Sequence, residues 1–288
     1  MSRTDYTDIS WSRGWRSALA RRGRFSLGGR SVRIVVKIGT SNLCGPDGRL
    51  DEAKVGGFAG QLVELYQAGH QLIVVSSGAV GAGMGAIGRR ARTVQEKQAL
   101  AAVGQAHLIH SWHQHLGPVI PAQILLTGYD LTVQDRRLNS ARTLEQLVAW
   151  GILPIINEND SVADDEIRIG DNDTLAARVA SLMRADLLVL LSDVDGLYTQ
   201  DPNRHPQAEK IRQVSWVTTV HLQAAQGAGQ FGTGGMTTKL QAAMICQDEG
   251  IPMVLANGQW PQILSHIVSG DAECGTWFLA RRGEVVES

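Results

Sequence analysis

One stretch, GILPIINENDSVADDEIRIGDND at residues 151–173, decides how this sequence is interpreted. It begins with an apolar run at residues 152–156, which predicts a buried strand, and then changes abruptly to the polar residues 157–160. In an open α/β sheet, ligands bind in the crevice beyond the carboxyl ends of the strands. The stretch therefore predicts a strand, a ligand-binding loop and a helix that begins at Thr174. The alternative is a solvated acidic loop in which Asp173 caps the helix.

Strand and helix patterns alternate along most of the chain. The wholly apolar segment LLVLL at residues 187–191 is typical of a strand buried on both faces of a parallel sheet. The other predicted strands cover residues 31–38, 72–75, 119–126, 254–256 and 276–281. The predicted helices cover residues 51–67, 95–115, 132–150, 174–183 and 240–249. This order predicts an α/β fold with a mostly parallel central sheet covered on both faces.

The composition describes a folded protein with few special features. The chain has 288 residues, 43% of them hydrophobic, and a formal net charge of −1, so we expect no nucleic-acid partner. No apolar run reaches the roughly 18 residues that a membrane span needs, and we expect no membrane partner. Three widely spaced cysteines indicate reduced thiols and a cytoplasmic location. Residues 1–30 contain seven arginines and two aspartates, and we predict a flexible extension before a single domain at residues 31–288.

Three glycine-containing segments follow predicted strands or precede a predicted helix. They are GTSN after Lys37, SSGAVGAGMG at residues 76–85, and QGAGQFGTGGMTTK, which ends at Lys239. Small residues allow a phosphate to approach the backbone, and a helix N-terminus favours an anion. The alternatives are tight packing turns and, for Lys37, a surface lysine on an edge strand.

Taken in order, these segments resemble the amino acid kinase family over about residues 31–281. The segments are VVKIGTSNL, VVSSGAVGAGM, QALAAVGQAHL, AQILLT, LPIINENDSV, IGDNDTLAARVA, LLVLLSDVDGLYTQDP and GTGGMTTKLQAA. Within that family, INEND, GDND and GTGGMTTK are similar to the members that phosphorylate glutamate. The resemblance implies a three-layer αβα sandwich of the carbamate kinase type. It also implies ATP-dependent phosphorylation of the γ-carboxylate of L-glutamate, the first step of proline biosynthesis.

The resemblance also implies roles for individual residues. Lys37 would contact the transferred phosphoryl group, Lys239 the ATP phosphates, and Asp173 would organise both lysines. The substrate-binding positions would be Ser77, Asn157, Asp160 and Asn172. The nucleotide-binding positions would be Lys37, Ser192, Asp193, Thr233, Gly234, Gly235, Met236, Thr237, Thr238 and Lys239. Mg²⁺ would enter with ATP, and no protein residue is expected to be a dedicated metal ligand.

The resemblance further implies partners. Proline would be a feedback inhibitor, the chain would form a homodimer or homotetramer, and glutamyl phosphate reductase would use the product. Many relatives carry a C-terminal RNA-modification-type (PUA) domain, and this sequence is expected to lack one.

Three alternatives remain at this stage. A family member could act on another carboxylate or a carbamate, a degenerate member could be a sensor, and residues 1–30 could bind nucleic acid. INEND and GDND argue against the first, and the presence of Lys37, Asp173 and Lys239 argues against the second.

Overall fold

The structure is a computed structural model, and it describes residues 31–162, 172–226 and 235–280. Its centre is an eight-stranded sheet in the order β3-β4-β2-β1-β5-β9-β10-β8. All neighbouring pairs in this sheet are parallel except β9 and β10. The predicted mostly parallel sheet is therefore confirmed. The predicted extension at residues 1–30 lies outside the described residues and stays a prediction.

The strands are β1 (Arg33–Ile38), β2 (Gln71–Ser76), β3 (Pro121–Leu126), β4 (Leu153–Glu158), β5 (Leu187–Ser192), β6 (Leu197–Tyr198), β7 (Lys210–Ile211), β8 (Gln213–Val214), β9 (Met253–Asn257) and β10 (Gly275–Phe278). The described helices are α1 (Thr40–Leu43), α2 (Glu52–Gln67), α3 (Ala79–Ile87), α4 (Val94–His115), α5 (Gly128–Thr132), α6 (Gln134–Ala149), α7 (Asn172–Leu182), α8 (Thr219–Gln226), α9 (Met236–Asp248) and α10 (Ile263–Ser269).

Each face of the sheet packs against its own hydrophobic core. Alternate strand residues point to opposite faces, and in β1 Ile34 and Val36 belong to one core whereas Val35 belongs to the other. The first core includes residues of α2, α4 and α10, and the second includes residues of α7 and α9. The predicted three-layer αβα sandwich is confirmed by these two helical layers.

Several predicted boundaries were wrong. Strand β4 continues through Asn157 and Glu158, because these residues still pair with Leu125 and Leu126 of β3. The predicted loop after Lys37 contains a one-turn helix, α1, which begins after Gly39. Helix α9 begins at Met236 rather than at residue 240.

Candidate active site

Two lysines share one buried aspartate at the centre of the sheet. Lys37 has the same parity as Val35 in β1, so its side chain points to the layer that contains α7 and α9. Lys37 Nζ lies 2.6 Å from Asp173 Oδ1, and Lys239 Nζ lies 3.0 Å from Asp173 Oδ2. Asp173 is fully buried and each lysine is only 5% exposed. Helix α7 carries Asp173, and α9 carries Lys239, 66 residues further along the chain. The two helices thus bring both side chains to Lys37 of β1.

The electrostatics of this cluster leave an excess of positive charge. Burial alone would raise the pKa of Asp173, but the charges and hydrogen bonds of Lys37 and Lys239 outweigh it and lower that pKa to about 2. The carboxylate is therefore ionised at neutral pH. Two ammonium groups against one carboxylate give the cluster a charge of +1. A buried site of this sign attracts an anion.

Thr238 connects the start of α9 to this cluster. Its Oγ1 lies 3.0 Å from Asp173 Oδ2 and 2.8 Å from the carbonyl oxygen of Gly235, the residue that precedes the helix. The first amide groups of a helix have no partner within the helix and favour anions. The N-terminus of α9 therefore adds donors beside the lysines. The predicted positions Thr233 and Gly234 lie outside the described residues, and Met236 and Thr237 begin the helix.

A second cluster joins three of the predicted substrate-binding residues. Asn172 Nδ2 donates to Ser77 Oγ at 2.8 Å and to Asn157 Oδ1 at 3.0 Å. Asn172 Oδ1 is buried and accepts no hydrogen bond within the described ranges. Buried polar atoms normally have a partner, so this oxygen is placed to accept from a ligand. Asp160 lies in the turn after β4, two residues beyond the end of that strand.

The other predicted nucleotide-binding residues lie at the end of β5. The Ser192 hydroxyl donates to Asp193 Oδ1 at 3.0 Å, and Asn257 Nδ2 approaches the Asp193 carbonyl oxygen at 3.5 Å. Buried Asn42 donates to the Ser192 carbonyl oxygen at 3.2 Å. Sequence reasoning included Asn42 only as part of the GTSN segment and did not consider Asn257. Asn42 lies in the one-turn helix α1 and Asn257 is the last residue of β9, and no motif marks either amide.

The sheet order explains how these groups meet. Strand β1 lies between β2 and β5, β4 lies beyond β2, and β9 lies beyond β5. From β1 the chain continues to β2 on one side, whereas the later strands β5 and β9 lie on the other side. This reversal of the strand order marks the switch point, where ligands bind in open α/β sheets. The Ser77–Asn157–Asn172 cluster lies on one side and Ser192 on the other. Lys37 lies between them.

Comparison with known proteins identifies the family and the fold. The model of the amino acid kinase family matches residues 32–257. The fold is similar to a carbamate kinase from Giardia lamblia bound to AMP-PNP, with a TM-score of 0.62 and 14% identity over 88% of this chain and 99% of that one. It is also similar to a UMP kinase from Ureaplasma parvum, with a TM-score of 0.59 and 15% identity over 88% and 100% of the two chains. The chain belongs to the amino acid kinase family.

Within that family, the chain is similar along most of its length to glutamate 5-kinases. The glutamate 5-kinase of Symbiobacterium thermophilum is 49% identical, in an alignment that covers 85% of this chain and 95% of that protein. The glutamate 5-kinase of Carboxydothermus hydrogenoformans is 47% identical over 87% of this chain and 68% of that protein.

Proposed function

We propose that the chain catalyses the ATP-dependent phosphorylation of the γ-carboxylate of L-glutamate, which is the activity of a glutamate 5-kinase and the first step of proline biosynthesis. The observation that best supports it is the pair of buried lysines held by Asp173 between the two polar clusters. In the reaction, a γ-carboxylate oxygen bonds to the γ-phosphorus of ATP while the bond from that phosphorus to ADP breaks. The product is glutamyl 5-phosphate.

The acceptor side is the cluster around Asn172. The unpartnered Oδ1 of Asn172 is suited to accept from the substrate ammonium group. The Ser77 hydroxyl accepts from Asn172, so its own proton remains available for a carboxylate oxygen. Asn157 holds Asn172 in place, and we assign Asp160 to the same substrate site. The γ-carboxylate is already ionised at neutral pH, so the reaction needs no general base.

The two lysines stabilise the transferring group. Phosphoryl transfer depends mainly on positioning and on neutralising charge at the equatorial oxygens. Lys37 would contact the phosphoryl group from β1, and Lys239 would contact the ATP phosphates from α9. Asp173 fixes the distance between them and is a positioning residue for both. A Cβ at Gly39 would make a tight contact with Lys37 Nζ, at 3.3 Å, so glycine at this position leaves room beside the lysine for a phosphoryl group.

The donor side is formed by Ser192, Asp193 and the start of α9. We assign the nucleotide to this side together with the segment from Thr233 to Lys239. Mg²⁺ would neutralise charge on the phosphate oxygens. Both Asp173 oxygens already contact ammonium groups, so that carboxylate is a poor metal ligand. In the described ranges, no three His, Cys, Asp or Glu side chains are grouped to hold a metal ion. We propose that Mg²⁺ enters the site bound to ATP.

The proposed function is tested by incubating the protein with MgATP, L-glutamate and hydroxylamine, which converts an acyl phosphate into a hydroxamate. Aspartate, N-acetylglutamate and a reaction without amino acid are run in parallel. We expect hydroxamate from glutamate alone. Its formation from N-acetylglutamate but not from glutamate would contradict the substrate assignment, and nucleotide binding without product would favour a sensor.

Replacing Lys239 by alanine is expected to lower kcat by about a hundredfold and to change the KM for glutamate by less than about threefold. The ammonium group acts on phosphate oxygens, whereas glutamate contacts the other side of β1. Steady-state hydroxamate kinetics measure both parameters. Wild-type turnover in this variant would remove Lys239 from the mechanism.

Proline inhibition is the proposed form of regulation. Proline shares the α-carboxylate and an ammonium group with glutamate, and it would compete for the cluster around Asn157 and Asn172. We expect proline to raise the KM for glutamate without changing kcat. An unchanged KM at high proline would contradict competition.

We also propose a homo-oligomer, a dimer or a tetramer. Strand β3 is an edge of the sheet, and apolar side chains near it are exposed, among them Ile120 (60%), Tyr129 (46%) and Trp150 (67%). An edge strand has a row of unpaired backbone N–H and C=O groups, which can pair with a strand of another chain. Light scattering measures the mass, and a monomer at micromolar concentration would contradict this proposal.

The chemistry of the product predicts which enzyme acts next. An acyl phosphate hydrolyses readily, and we propose glutamyl phosphate reductase as the next enzyme; a mixed assay in which that reductase fails to use the product would contradict it.

Cys44, Cys246 and Cys274 are free and buried, and burial raises their pKa to between about 11 and about 12. Unreactive free thiols support a cytoplasmic location, which fractionation of cells would test. No helix in the described part of the chain is long and apolar enough to cross a membrane.

A further inference from the structure

A buried hydrogen-bond chain lies directly behind Ser77. Trp112 Nε1 donates to Ser76 Oγ at 3.1 Å, and Ser76 Oγ donates to the carbonyl oxygen of Ser77 at 3.0 Å. Ser76 and Trp112 are both fully buried. A hydroxyl has one proton and accepts through its lone pairs, so the two bonds use the Ser76 hydroxyl in complementary ways. The indole determines where that hydroxyl points its proton.

Neighbouring serines at the end of β2 face opposite layers of the fold. Ser76 has the parity of Val74 and faces the layer of α4, where Trp112 lies. Ser77 points the other way and meets Asn172 of α7. The chain of bonds therefore connects a helix on one side of the sheet to the proposed glutamate site on the other.

The backbone of Ser77 is fixed at both of its peptide groups. Its N–H donates to the carbonyl oxygen of Ile38 at 3.0 Å, and its C=O accepts from Ser76. In a planar trans peptide, the C=O and the next N–H point in opposite directions. Because the Ser77 carbonyl faces Ser76, the Gly78 N–H faces away from Ser76. Gly78 has φ +103° and leads into α3, and its amide is one of the open donors that precede a helix.

Trp112 is held in place by close contact between α3 and α4. A Cβ at Gly104 would lie 1.7 Å from the Ala79 carbonyl oxygen, and a Cβ at Gly83 would lie 2.0 Å from the Leu100 carbonyl oxygen. The two helices touch through their backbones at these glycines. Trp112 lies on α4 about two turns beyond Gly104. Its indole position is therefore defined relative to the start of α3.

We propose that Trp112, acting through the Ser76 hydroxyl, is a positioning residue that orients the Ser77–Gly78 peptide toward the glutamate substrate. The Ser77 side chain and the Gly78 N–H then present two donors to a substrate carboxylate. This role rests on the proposed glutamate kinase activity. Ser76 and Trp112 would act without contacting the substrate, because both lie on the side of the sheet that α4 covers.

The test compares Ser76→Ala, Trp112→Phe and the double variant in the hydroxamate assay. One lost hydrogen bond corresponds to about a three- to tenfold effect, and we expect each single variant to raise the KM for glutamate by that factor. The KM for ATP should stay within about twofold. Since both residues act through one chain of bonds, the double variant should be no worse than Ser76→Ala alone. Ser76→Thr keeps the hydroxyl, and its KM for glutamate should equal that of the wild type.

Trp277→Phe is the matched control. Trp277 is a buried tryptophan of β10 whose Nε1 donates to the Asp271 carbonyl oxygen, and its loss should lower the melting temperature without changing the KM for glutamate. If Trp112→Phe fails to fold, Ser76→Ala and Ser76→Thr still test how the Trp112–Ser76–Ser77 hydrogen bonds affect the KM for glutamate. An active wild type whose Ser76→Ala variant keeps its KM, or additive effects in the double variant, would overturn the positioning role. A wild type that makes no hydroxamate from glutamate would instead overturn the proposed function.

Discussion

Replacing Asp173 by asparagine is expected to lower kcat by about a thousandfold or more and to destabilise the fold by about 3–5 kcal/mol. Asparagine keeps the size of the side chain but removes the charge that Lys37 and Lys239 share at 2.6 and 3.0 Å. Two buried ammonium groups then face each other without a carboxylate. Hydroxamate kinetics measure the first effect, and denaturant unfolding measures the second.

Glu145→Gln is the matched control for the change of carboxylate to amide. Glu145 pairs with Arg33 at 2.6 Å, but its side chain is 52% exposed. The pair is bidentate, at 2.6 and 2.9 Å, and the Arg33 side chain is 16% exposed, so we expect this variant to keep its activity and to lose about 1 kcal/mol of stability, well below the loss in Asp173→Asn. Equal losses of stability in the two variants, or normal turnover in Asp173→Asn, would contradict the assigned role of Asp173.

The same aspartate predicts how stability depends on pH. Its pKa falls from an ordinary 3.8 to about 2 in the folded protein. A lowered pKa stabilises the fold above the unfolded value, and this contribution is lost as the pH falls from about 4 to about 2. The contribution is about 2 kcal/mol. Unfolding measured across this range should show a smaller loss in Asp173→Asn than in the wild type.

Replacing Gly104 by alanine is expected to destabilise the fold by about 3 kcal/mol or more. The new methyl group would lie 1.7 Å from the Ala79 carbonyl oxygen and 2.5 Å from the Gly83 amide nitrogen. Both atoms belong to the backbone of α3, so α3 and α4 must move apart. Because α3 follows the Ser77–Gly78 turn, the KM for glutamate should rise as well. Thermal unfolding and steady-state kinetics check the two effects.

Gly60→Ala provides the opposite expectation in a comparable helix. Gly60 is exposed on α2, and a Cβ there would meet no atom within 4 Å. Alanine is the better helix former, and the substitution should stabilise the protein by about 0.5–1 kcal/mol. A Gly104→Ala variant as stable as Gly60→Ala would contradict the close backbone contact between α3 and α4.

Hydrophobic patterns were sufficient to predict most of the central layer. The apolar segments of β1, β2, β4 and β5 are confirmed as neighbours in one mostly parallel sheet. The pattern failed where polar residues remain in a strand, as at Asn157 and Glu158. Helix α5 was also missed, although Thr127 and Asp130 have the spacing of a helix N-terminus, and Asp130 Oδ2 accepts from both the N–H and the hydroxyl of Thr127. The β6–β7 hairpin has only two residues in each strand, too few to show alternation.

The candidate site depended on information that local patterns do not contain. Lys37 and Asp173 are far apart in the chain, and only the order of strands β2, β1 and β5 shows that they meet. Family resemblance, rather than spacing, indicated this pair. Trp112 shows the limit of both approaches. From the sequence it is one more apolar residue on a helix, and only the fold shows that its indole N–H reaches Ser76.

The central claim is that the γ-carboxylate of glutamate attacks the γ-phosphorus of ATP at the Lys37–Asp173–Lys239 cluster. Glutamate labelled with ¹⁸O in both γ-carboxylate oxygens tests it most directly. Hydroxylamine attacks the acyl carbon of the product and releases phosphate that retains the bridging oxygen. We predict one ¹⁸O atom in the released phosphate, seen as an isotope shift by ³¹P NMR. Phosphate without ¹⁸O would show that water, rather than glutamate, receives the phosphoryl group, and would contradict the claim.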